Sequence, residues 1–277
     1  MTGLLLALGA SLSWGVADFV GPWQGRTLGV LRVMVWAQAA GVIGIALVVA
    51  FVWKAPPGYG VLLAIPASLA GTLGLAAYYR GMAIGAMAVV APIAGVSAIV
   101  PVIVGITTGD HPTALQIGGI GCALAGVALA SQEHQAESVR RVAAGVGLAL
   151  LAALGFGLYF PLMHAAGRAD PYWASLTFRV TALALVGAAA AVRRPTLRLT
   201  RGKLVVVAAV GLGDTLGNVL FAAASHSGGL VSLTSVLASL YPIVTVALAA
   251  AVLHERIGVL QGVGVALTLA GVALISV

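Results

Sequence analysis

Asp214 and Asn218 stand four residues apart in "VGLGDTLGNVLF" (210–221), a stretch otherwise made of apolar and small residues. At that spacing they share one face of a helix. A carboxylate with an amide beside it can hold a cationic group, take up a proton, or form half of an acid dyad. Asp18, in "SWGVADF", is the other carboxylate that falls inside an apolar stretch, and it is the natural second acid. A charged side chain at the centre of a bilayer costs at least about 2.5 kcal/mol on insertion scales, so Asp214 must be protonated, paired or turned toward water.

The chain around these residues requires a membrane. Of 277 residues, 61% are hydrophobic and 8% charged, and the mean hydropathy is +1.11, too apolar for a domain whose surface faces water. The 14 Lys and Arg against 7 Asp and Glu gather between apolar segments, where they report membrane orientation and not nucleic-acid binding. A bilayer core of roughly 30 Å takes about 20 residues of helix. Breaks at charged, polar and Pro/Gly stretches then give spans near 3–20, 29–53, 60–80, 86–107, 113–131, 143–163, 172–192, 203–225, 229–252 and 257–276. The fold expected is an all-α polytopic membrane protein with ten transmembrane helices, the lipid bilayer as its first partner. "MTGLLLALG" has no basic start or clear cleavage site, so the first helix is expected to stay.

The ten spans repeat. "LALGASLSWG" (6–15) matches "LALLAALGFG" (148–157) at six of ten positions, and "GTLG" (71–74) meets "DTLG" (214–217) at an offset of 143. "LAGVALAS" (124–131) meets "LAGVALIS" (269–276) at seven of eight. The expected domains are a first five-helix repeat over 1–131, a polar linker over 132–142 and a second repeat over 143–277. Five spans per copy invert the second copy relative to the first, an arrangement that places a transport site near the midplane between the halves. At offset 143, Asp214 and Asn218 correspond to Gly71 and Leu75, so the polar pair belongs to one half only.

Ten helices in two halves, "SWGVADF", Arg32 and its counterpart Arg179, and "HERIGVLQ" (254–261) with its counterpart "GDHPTALQ" (109–116) resemble the EamA-type branch of the drug/metabolite transporter superfamily. The resemblance covers essentially the whole chain. It implies secondary transport by alternating access, no cofactor, and as cargo a small molecule such as an amino acid or related metabolite. It also implies export as the direction and a cell (inner) membrane as the location, the protein acting as a monomer or homodimer.

The substrate-binding or proton-coupling candidates are Asp214, Asn218 and Asp18, with Tyr78, Tyr79, Trp14, Tyr159, Arg179 and Ser239 beside them. Phe156 joins Trp14 and Tyr159 as a possible cavity wall. Arg32 and Arg179, at equivalent places, suit snorkelling or holding loop carbonyls, and Arg179 alternatively suits a substrate carboxylate. Pro92, Pro101 and Pro242 free backbone carbonyls and kink the fourth and ninth spans, which makes those spans candidate gates. His164, His226 and His254 fall near helix ends without ligand spacing, so no metal site is expected.

Two other readings exist. "GLGD" (211–214) fits the GxGD motif of intramembrane aspartyl proteases, whose chemistry needs two carboxylates sharing a proton. The Tyr-Asp and Pro-Ala-Leu that accompany that motif do not occur. A passive channel is the second, favoured by rings of like charge rather than by one asymmetric pair. No Walker A, HExxH or GxSxG pattern occurs, which argues against an ATP-driven pump or a hydrolase. For orientation, Arg26, Arg140, Arg141, Arg193, Arg194, Arg198, Arg201, Lys203 and Arg256 fall on one side, against Lys54 and Arg168 on the other. The positive-inside rule then puts both termini outside.

Overall fold

The computed structural model describes residues 2–52, 57–83, 94, 96–130, 139–228, 230–253 and 258–275. Among them every regular element is helical. In chain order these are α1 (Thr2–Leu28), α2 (Val30–Val52), α3 (Ala64–Ala83), α4 (Ile99–Thr108), α5 (Ala114–Ala130), α6 (Val139–Ala169), α7 (Pro171–Arg193), α8 (Arg201–His226), α9 (Val231–Ala238), α10 (Tyr241–Leu253) and α11 (Val259–Ile275). Short 3-10 turns, Tyr59–Leu63 and Val96–Ala98, lead into α3 and α4. Among the described residues six helices are long and apolar enough to cross a bilayer, those of α1, α2, α3, α6, α7 and α8.

Many small residues pack in the interior beside a cluster of aromatics, while large aliphatic side chains cover much of the outside. Ala7, Ala10, Ala64, Ala67, Ala152 and Ala182 are buried, whereas Leu5, Leu12, Ile43, Leu47, Leu154 and Leu216 are exposed. In water that distribution would be unstable. In lipid, where burying a leucine brings no hydrophobic gain, close backbone approach and van der Waals contact drive helix packing instead. A Cβ on Gly126 would strike Gly264 and Thr268, and one on Gly271 would strike Gly119 and Ala123, so α5 and α11 meet backbone to backbone.

The principal packing partner of each helix in the first half lies in the second: α1 with α8, α2 with α7 and α8, α3 with α6, α4 with α9, α5 with α11. Short links enforce sharp reversals. Between α6 and α7, Asp170 caps the new helix, its Oδ1 accepting from the amides of Tyr172 (2.8 Å) and Trp173 (2.9 Å), with Pro171 pre-set at the first helical position.

Three expectations change in detail. α1 runs on to Leu28 because Pro22 is carried inside it, and α6, whose expected span already held Pro161, continues to Ala169. A membrane helix tolerates proline where neighbouring groups satisfy the freed carbonyl. The ninth span is two helices, not one kinked one. It breaks at Ser239–Leu240, because Pro242 lacks the amide that would bond to Ala238 and its ring would clash there. Pro101 is buried inside α4, while Pro92 lies outside the described residues.

Candidate functional site

Asp214 and Asn218 lie midway along α8, facing α1, α2 and α6. Asn218 Oδ1 accepts from Trp14 Nε1 (3.2 Å) and from the Tyr159 hydroxyl (3.1 Å). Trp14 Nε1 also points at the Asp214 carbonyl (3.2 Å). Gly217 makes this approach possible, since a Cβ there would collide with the Trp14 indole. Trp14 and Tyr159, on the first helix of each half, thus meet edge-on over one amide, their ring centroids 5.8 Å apart.

Asp214 is paired. Arg179, from α7, donates through Nη1 to Asp214 Oδ2 (2.7 Å) and to Gln38 Oε1 (2.8 Å), and its guanidinium lies 5.4 Å from the Phe178 ring centroid. The Arg179 side chain is 0% exposed and that of Asp214 25%. Burial overturns the snorkelling reading for Arg179: a carboxylate within reach holds the guanidinium inside, so the stem has no cause to extend to the interface. Arg32, its counterpart, is only partly buried, and its Nε has no partner among the described residues.

These residues border a half-open cavity of about 60 Å³. A cavity holds one water in about 10–15 Å³ by the same measure, so there is room for a few waters or one small solute. The wall takes Trp14 and Asp18 from α1, Gln38 from α2, and Gly71, Thr72 and Leu75 from α3. The second half supplies Phe156, Tyr159, Phe160, Phe178, Asp214, Asn218 and Tyr241. Gly71 and Leu75, which stand 143 residues before Asp214 and Asn218 in sequence, lie on the wall of the same cavity.

The other candidates lie elsewhere. Tyr78 and Tyr79 are buried outside the wall, Tyr78 against Phe156 and Tyr79 over Gly21. Ser239 is buried and donates to its own helix at the Val236 carbonyl (2.8 Å). Pro242 does not line the cavity, but the break it causes makes Tyr241 the first residue of α10 and a wall residue. His164 is buried within α6 rather than interfacial, His226 stays exposed beside the Arg168 carbonyl, and His254 lies outside the described residues.

Gln38, Thr72 and Tyr241 belong to the site without having been singled out from sequence. Gln38 is a lone amide inside an apolar span ("WAQAAG"), the same signal that drew attention to Asn218. Thr72 sits within the repeated "GTLG", and Tyr241 directly precedes Pro242.

The GxGD motif has a packing explanation. A Cβ on Gly211 would overlap the Ala37 carbonyl, so this glycine lets α2 and α8 touch and brings Gln38 toward Arg179. Asp18 and Asp214 do line one cavity, but Asp214 is held by a guanidinium rather than sharing a proton with a second acid.

Helices packed through small residues around a partly polar, half-open cavity define a multi-pass membrane protein built to handle a small molecule. Residues 143–277 match the model of the EamA-like transporter family, a match consistent with an EamA-type member of the drug/metabolite transporter superfamily. A solved crystal structure with 17% sequence identity superposes over 98% of this chain and 95% of its own with a TM-score of 0.77, a likeness of fold alone. No curated protein matches the sequence.

Proposed function

We propose that the chain is a secondary, non-enzymatic transporter that moves small polar metabolites, amino acids among them, across the cell (inner) membrane by alternating access. Export is the direction the family resemblance implies. The observation that supports the reading is the cavity itself: its wall residues come from both 1–131 and 143–277, and Asp18, Gln38, Thr72, Asp214 and Asn218 supply polar groups from four helices.

Two inverted repeats, 1–131 and 143–277 about a polar linker, fit the way each helix of the first half packs on one of the second. Such halves can rock about a shared midplane site. The break between α9 and α10 and the buried Pro101 of α4 are the candidate hinges. Both termini outside remains the orientation favoured by the loop charges, with the protein a monomer or homodimer.

Counterflow in proteoliposomes tests this reading. Vesicles preloaded with unlabelled cargo should accumulate labelled cargo transiently above equilibrium, and the initial rate should saturate. A passive channel gives neither, so linear uptake without counterflow would sink alternating access.

A further inference from the structure

Among the described residues, one carboxyl on the cavity wall has no countercharge. Asp214 is offset by Arg179, whose side chain is 0% exposed and closed off from the cavity. Asp18 stands on the wall, and among the described residues no hydrogen bond or ion pair engages its carboxyl. With Asp18 ionised, the cavity carries one net negative charge.

Other groups on the wall also lack partners. Asn218 Nδ2, Thr72 Oγ1 and the Tyr241 hydroxyl are buried without a hydrogen bond among the described residues, each in a side chain more than nine-tenths buried. Unmade bonds at buried groups are costly, and three on one small cavity point to an occupant that makes some of them. Most of the remaining wall is aromatic: Trp14, Phe156, Tyr159, Phe160 and Phe178. Ring faces attract ammonium groups and accept apolar bodies.

An amino acid fits this wall poorly. Its carboxylate would enter a cavity that already holds Asp18 and the exposed quarter of Asp214. The guanidinium that could answer it stands off the cavity wall, its Nη1 donating to Asp214 and Gln38.

We infer that the cavity takes a small monovalent organic amine that lacks a carboxylate, its ammonium on Asp18 and its apolar body against the aromatic wall. The inference rests on the transport reading and narrows its cargo. Asn218, Thr72 and Tyr241 then serve a second polar group of the cargo or the waters that travel with it.

Titration calorimetry of the purified full chain in detergent decides it, with 3-methylbutylamine and leucine as probes. The two share a branched body and an amine, and leucine adds only the carboxylate. The amine is expected to bind about tenfold or more tightly than leucine, and Asp18→Asn to weaken it by a similar factor. Leucine binding as well as the amine, an amine affinity untouched by Asp18→Asn, or no amine binding at all would each overturn the inference. The wild-type comparison alone decides if Asp18→Asn does not fold. Counterflow of another solute where the amine fails would spare the transport reading, whereas amine binding without flux of any solute would remove that reading and leave an amine-binding cavity without a cargo.

Discussion

Replacing Asp214 by Asn removes the charge that offsets Arg179 and changes little in shape. The Arg179 guanidinium is 0% exposed, and Nε and Nη2 already have no partner among the described residues, so after the change Nη1 keeps only Gln38. At an N–O distance of 2.7 Å the charge centres lie roughly 4 Å apart, worth about 4 kcal/mol at an effective dielectric near 20. The 25% exposure of Asp214 lowers that, and about 3 kcal/mol is expected, the lower end for stranding a buried charge. Arg179→Met should cost less, about 1–2 kcal/mol, because the carboxylate left behind can take a proton or meet cavity water while a guanidinium cannot shed its charge. The double variant should recover about 2 kcal/mol relative to the sum. Thermal unfolding in detergent, followed by circular dichroism, reads the cycle. At about 2–4 °C per kcal/mol, Asp214→Asn should melt at least about 6 °C lower. Equal losses from the two single variants, or strict additivity in the double, would refute a buried pair that holds α7 to α8.

Gly211→Ala should cost about 1–3 kcal/mol by driving a methyl into the Ala37 carbonyl, while Gly213→Ala, whose Cβ would have its nearest neighbour at 3.9 Å, should change the melting temperature little. Equal effects would remove the packing account of the GxGD motif. Asp110→Ala takes a carboxylate off the Ser232 amide (2.8 Å) at the start of α9 and should cost about 1–2 kcal/mol, checked by the same melts. Asn218→Leu gives α8 the residue its repeat mate has at Leu75 and strips Tyr159 of its acceptor; transport should fall more than stability. A reporter fused after Val277 should read outside the cell, and a cytoplasmic signal would reverse the orientation.

The six long spans, α1, α2, α3, α6, α7 and α8, were legible in sequence because a bilayer fixes helix length and the chain breaks at charged or polar links. What escaped was how proline acts. Pro22 and Pro161 lie inside the unbroken α1 and α6, whereas Pro242 follows a break in the ninth span, a difference that no local pattern records. Asp214 stood out because a carboxylate in apolar surroundings needs a reason. That its partner is Arg179, 35 residues away, depends on how α7 meets α8, and periodicity says nothing of that. Gln38 carried the same signal as Asn218 but lacked a carboxylate beside it to mark the face.

Transport by the reconstituted protein tests the central claim most directly. Liposomes carrying the wild type or Asn218→Leu would be loaded with a mixed pool of amino acids, amines and other metabolites, and the released solutes identified by mass spectrometry against empty liposomes. The account predicts a defined solute released by the wild type and strongly reduced release from a variant that still folds. Equal release from both would move the site away from the cavity between the halves. Release no greater than from empty liposomes, with the protein shown to be folded, would contradict the account.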